Sequence, residues 1–85
     1  MDRNEIEKRM EGILLEATRW LPANELADMV DLVQHGEPGI ALENFCTQLE
    51  EYDIVVPEDI VERLRNLAST MGMRLPAWIE RAADA

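Results

Sequence analysis

Apolar residues recur three and four positions apart along most of this chain, the spacing that lines one side of an α-helix. The pattern is plainest between Gly36 and Pro57. From Pro38 onward, Ala41, Leu42, Phe45, Cys46, Leu49 and Tyr52 fall on one arc, while Glu43, Asn44, Thr47, Gln48, Glu50 and Glu51 fall on the other. A central helix is therefore expected, with one side in a core and the other acidic and nearly free of positive charge.

The flanking segments read the same way. Asn4 with Glu7 three residues later has the spacing of a capping box and predicts the start of a first helix. Its inner face is expected to hold Ile6, Met10, Ile13, Leu14, Ala17 and Trp20, with Glu5 and Arg9 spaced to pair across one turn. Leu15 lands on the polar side and is expected to be an exposed leucine, the alternative being a self-association or partner contact. Pro22 ends this helix and opens a second that runs to His35, with Leu26, Met29, Val30 and Val33 inward and Asn24, Asp28, Asp31 and His35 outward. Gly36 is placed to close it in the left-handed conformation.

Beyond the central helix, Ile54, Val55 and Val56 are β-branched, but there is no second strand for them to pair with. They are expected to form an extended connector that drops side chains into the core, with Pro57 keeping Val56 out of helical geometry. Pro57, Glu58 and Asp59 predict a fourth helix start, acids lying at the positive end of its dipole. Ile60, Leu64, Leu67, Ala68 and Met71 make the predicted buried face, and Gly72 the stop. Pro76 opens a short last helix that packs Trp78, Ile79 and Ala82 on the bundle. The expected fold is all-α: a single domain, residues 1–85, of four main helices plus a short C-terminal one, with a radius of gyration of roughly 12 Å.

Charge changes the functional picture. Eighteen acids against eight bases give a net charge of −10, which repels nucleic acid and anionic membranes and attracts basic proteins. The competing explanation is simple solubility. The apolar fraction of 47% is that of a folded domain and argues against disorder at this charge. A single cysteine, Cys46, excludes an internal disulfide and any multi-cysteine metal site. The first residues lead into an amphipathic stretch, so no signal peptide is expected, and no apolar run is long enough to cross a bilayer. The cytoplasm is the expected compartment.

Candidate chemistry is sparse. The sole histidine, His35, follows Asp28 and Asp31 at helical spacing, which suggests at most a weak divalent-metal stripe. The plainer reading is a histidine beside the negative end of its helix. Glu50 with Glu51, and Glu58 with Asp59, are adjacent pairs that do not converge as an acid–base pair must. No catalytic residue, metal site or cofactor is expected. An acyl-carrier role is rejected because the only serine, Ser69, lies outside the Asp-Ser-Leu setting that role needs. One lysine and scattered arginines form no basic stripe for nucleic acid.

The run from Val33 to Glu43, then Phe45 with Cys46 and Leu49 with Tyr52, resembles the MafI-type immunity proteins. These are small helical antidotes of bacterial polymorphic and contact-dependent growth-inhibition toxins. The similar features are a helix ending in Gly-Glu, Ala-Leu-Glu on the next helix, an acidic exit, and Met71-Gly72 near the end, over roughly Leu26–Met73. Colicin-DNase immunity proteins are also small, acidic and helical, but their Tyr-Tyr-Pro loop is missing, since Tyr52 is followed by Asp53. The resemblance implies a protein that binds and neutralises a cognate toxin domain, often a nuclease with a basic site. On matching positions it implies contacts through Glu37 and Glu43 first, then Glu50, Glu51 and Asp53, with Tyr52 as an aromatic anchor and Asp28 and Asp31 extending the surface. The alternative from another class is a helical adaptor or anti-activator that takes a partner peptide in an apolar groove of Leu15, Met71, Met73 and Trp78.

Overall fold

In a computed structural model the five expected helices form, joined by short turns. The structure describes residues 1–83, with side chains through Glu80. Helix α1 spans Arg3–Glu16 and tightens into a 3-10 turn, Ala17–Arg19. Helices α2 (Ala23–Gln34), α3 (Pro38–Glu51) and α4 (Glu58–Thr70) follow, then the short α5 (Ala77–Ala83). The radius of gyration is 11.8 Å and the principal extents are 33 × 27 × 17 Å. No strand occurs among the described residues.

Helix ends are set by local chemistry. Asp2, not Asn4, caps α1: its carboxylate accepts from the Glu5 N–H at 2.9 Å, so the helix begins two residues before the capping-box spacing suggests. Pro22 and Pro57 sit at the N-cap positions of α2 and α4, and Pro38 is the first residue of α3. Three helices then end in the same way. Gly36, Asp53 and Gly72 each take positive φ, and the next residue's N–H reaches back to an otherwise orphaned carbonyl. Glu37 donates to the Leu32 carbonyl at 2.8 Å, Ile54 to that of Leu49 at 2.9 Å and Met73 to that of Ala68 at 2.8 Å. At Gly36 the left-handed turn is also crowded, because the Arg3 guanidinium lies where a Cβ would sit.

The core lies where α3 meets α1, α2 and α4. Phe45, Leu42 and Leu49 on α3 are closed off from water with Met10, Ile13, Leu14, Val33, Ile60, Leu64 and Leu67. Cys46 is buried among them, and loss of solvent pushes its thiol pKa up to about 12, so it serves as a small hydrophobe. Ile79 plugs the end of the core from α5, where Trp78 is half-buried; Ala82 lies outside the described side chains. Arg65 on α4 holds α5 by donating to Glu80 at 2.9 and 3.2 Å, and also pairs with Glu62.

Several inner faces differ from expectation. Ile6, Trp20, Val30 and Met71 are only half-buried, while Val61, not anticipated, is fully buried. Val56 enters the core and Ile54 partly does, but Val55 is 90% exposed, because alternate residues of an extended segment point opposite ways. Tyr52 leaves the buried arc of α3: it is the C-cap residue and remains 46% exposed. Leu15 is exposed, as expected.

Truncating the central aromatic tests this core. Phe45→Ala is expected to cost about 3–5 kcal/mol, a large part of the stability of so small a domain. Urea unfolding followed by helical circular dichroism will measure it.

Candidate functional site: an acidic helical hairpin

Helices α2 and α3 form an antiparallel hairpin, pinned at its open end by a hydrogen bond from the Tyr52 hydroxyl to Glu25 Oε1 at 3.2 Å. Between Arg19 and Arg63 the chain holds no lysine or arginine, so every charge the hairpin itself carries, apart from His35, is negative. All five ion pairs among the described residues lie on the other helices. Arg3 pairs with Glu7, Arg9 with Glu5, Arg63 with Glu16, and Arg65 with Glu62 and Glu80. The anticipated acids Asp28, Asp31, Glu37, Glu43, Glu50, Glu51 and Asp53 are exposed, and none joins an ion pair among the described residues.

They do not form one stripe. Glu43 and Glu50 are seven residues apart and share a line along α3, whereas Glu51 lies about 100° further round. Glu43 and Thr47 face the α4–α5 turn and border a recess of about 260 Å³ with Cys46, Met73 and Arg74. Glu51 lies instead beside Tyr52, near enough for its charge to act on the phenol. Asp28 and Asp31 flank a shallow depression on α2 with Leu32 and His35. Glu37 stands at the N-cap of α3, beside the turn that Arg3 overlies. Glu37 and Glu43 thus have a cationic side chain in their neighbourhood, and among the described residues negative charge is least compensated toward the C-terminal end of α3.

That end runs against local preference. Glu50, Glu51 and Asp53 crowd the negative pole of the helix dipole, where carboxylates are unfavourable, and the last turn has no base. Asp53 also holds φ +52, a conformation better suited to glycine. Glu25 adds to the negative potential: one carboxylate oxygen accepts from Tyr52, and the other is enclosed without a partner among the described residues. The Tyr52 phenol is held above its ordinary pKa first by this hydrogen bond, then by partial desolvation and the charges of Glu25 and Glu51.

The His35 stripe assembles no ligand set. His35 Nδ1 lies 2.7 Å from the Asp31 carbonyl oxygen, so the ring caps the end of α2 through backbone, not through a carboxylate. No group of three or more His, Cys, Asp or Glu side chains among the described residues is arranged to hold a metal ion. The groove residues also separate. Leu15 borders a furrow between α1 and α2 with Leu14, Leu26 and Val30, while Met73 borders recesses beside the α4–α5 turn. Sequence periodicity missed Glu25 and Val55. Glu25 lies in the first turn of α2 and its role needs the hairpin closed, whereas the exposure of Val55 follows from alternation along the connector once Val56 is buried.

Comparison with family models, curated proteins and solved structures gave no match. No helix among the described residues is long and apolar enough to cross a membrane.

Two measurements check this site. Tyr52 is the only tyrosine, so ultraviolet titration of its phenolate reads one group. The folded midpoint is expected above 10.0 and is expected to fall back toward it in Glu25→Gln. Because the folded pKa is the raised one, this contact supports folding below the unfolded phenol pKa, and the support is lost as pH climbs through the folded value. Asp53→Gly is expected to stabilise by about 1 kcal/mol through relief of the left-handed residue, and Asp53→Asn by about 0.3–1 kcal/mol through loss of the carboxylate at the helix end. Equilibrium unfolding will rank the three proteins.

Proposed function

We propose that this protein is an immunity-type inhibitor that binds a basic toxin domain through the α2–α3 hairpin and neutralises it without catalysis. The observation that carries the reading is the absence of any lysine or arginine between Arg19 and Arg63, which leaves the hairpin's carboxylates without an ion-pair partner among the described residues. Such a surface is costly to the isolated protein, through mutual repulsion and the opposed dipole of α3, and gains when basic side chains arrive. Carboxylates held on a rigid hairpin can occupy the positions that phosphates take in a nuclease site. The resemblance of residues Leu26–Met73 to MafI-type immunity proteins points the same way, as does the cytoplasm as the place where an intoxicated cell needs protection. No catalytic residue and no cofactor enters this reading.

A second reading rests on the furrow between α1 and α2, where Leu15 is 74% exposed beside Leu14, Leu26 and Val30. An adaptor or anti-activator holding an apolar helix there binds through area, not charge, and its affinity is then nearly independent of salt.

Coexpression separates the two. The protein is expected to protect cells from the toxin encoded beside it and from few others. Glu43→Lys with Glu50→Lys is expected to slow association about tenfold or more at low salt and to flatten its salt dependence. Protection with unchanged association kinetics would move the contact off this line of α3, and failure to protect against any neighbouring toxin would remove the immunity reading.

A further inference from the structure

Val55 is the most exposed of the chain's large apolar residues, and its exposure is built into the fold. On one side the connector is anchored by the left-handed turn at Asp53, whose N–H donates to the Glu50 carbonyl at 3.0 Å while Ile54 donates to Leu49 at 2.9 Å. On the other side Val56 is buried and Pro57 fixes the entry into α4. Val55 is thus held out between two fixed neighbours. Tyr52 stands three residues earlier, its ring oriented by the hydroxyl bond to Glu25 and 46% exposed. An aromatic fixed in this way loses little freedom when a partner covers it.

The surroundings name the partner's chemistry. Consecutive Cα atoms are 3.8 Å apart, so Asp53 lies within about 8 Å of Val55 along the chain, and Glu51, Glu58 and Asp59 within about 16 Å. The two basic residues that flank this stretch in the sequence are engaged elsewhere: the Arg19 guanidinium covers the Trp20 ring at 4.4 Å, and Arg63 pairs with Glu16. Exposed apolar side chains flanked along the chain by acids that join no ion pair among the described residues suit an interface hot spot, in which the apolar centre supplies affinity and the charged border excludes water and selects sign.

We infer that Tyr52 and Val55 form the apolar anchor of the interface, and that the partner presents an apolar centre rimmed by lysine or arginine. This rests on the acidic-hairpin reading and adds to it a fixed point at the α3–α4 corner, with Val55 as a residue that determines affinity. A purely electrostatic contact needs neither side chain.

The test uses the intact chain, isotope-labelled, and three blocked synthetic hexapeptides: one with leucine and tryptophan between pairs of lysine or arginine, one with serine and asparagine in those central places, and one with the apolar centre between glutamates. The first is expected to shift the amide signals of residues 50–56 and to bind at least fivefold more tightly than the second; the third is expected to leave them unmoved. Val55→Ser, a fully exposed change that leaves the core intact, is expected to weaken the first peptide about fivefold and to leave the second unaffected. Equal binding of the two basic peptides, or no effect of Val55→Ser, overturns the anchor while leaving an electrostatic hairpin in place. Shifts confined to the α1–α2 furrow overturn the anchor in favour of the groove, and absence of binding by either basic peptide overturns the anchor and the acidic-hairpin reading together.

Discussion

Burial of the apolar arc of α3 is the constraint on which the structure depends. Ala41, Leu42, Phe45, Cys46 and Leu49 meet α1, α2 and α4 at once, so this one helix closes the core on three sides. Surface ion pairs contribute at most about 1 kcal/mol each, and the hairpin of α2 and α3 has none of its own among the described residues. Its two helices stay together through apolar contact, the Tyr52–Glu25 hydrogen bond and well-closed ends. Only a firmly buried inner face allows an outer face so unfavourable to itself.

The acidic face and the core therefore depend on each other. Where the other helices pair several of their acids, with Arg9 on Glu5, Arg63 on Glu16 and Arg65 on Glu62 and Glu80, the hairpin keeps its carboxylates, Glu25 apart, open to water. Asp53 concentrates the conflict: a carboxylate in a left-handed position at the negative end of a helix, where glycine or asparagine suits the backbone better. Local rules broken without local gain are found where function takes precedence over stability.

Most of the fold was legible in the sequence because helix periodicity, proline and glycine all marked the same boundaries. Gly36 and Gly72 closed the helices they were expected to close, and each proline stood at or just before a helix start. Periodicity places a residue on a helix face but does not say where the helix ceases, which is why Tyr52 read as core and emerged half-exposed at the C-cap. The capping-box spacing at Asn4 was outcompeted by Asp2, two residues earlier in the chain, whose carboxylate accepts from the Glu5 N–H. As for the site, the acidity of α2 and α3 was visible at once. Its division was not: Glu43 borders the α4–α5 recess and Glu51 lies beside Tyr52, because that depends on which flank of α3 each neighbour covers. Val55 was hidden for the opposite reason, since a run of three β-branched residues suggests uniform burial until the chain direction is fixed.

The placement of the arginines has one more consequence. With compensated charge gathered on α1, α4 and α5 and bare negative charge on the hairpin, the molecule is electrically lopsided. In the field of a strongly basic body it experiences a torque as well as a pull. Approach and alignment can then proceed together, so that fewer collisions arrive with the wrong side forward.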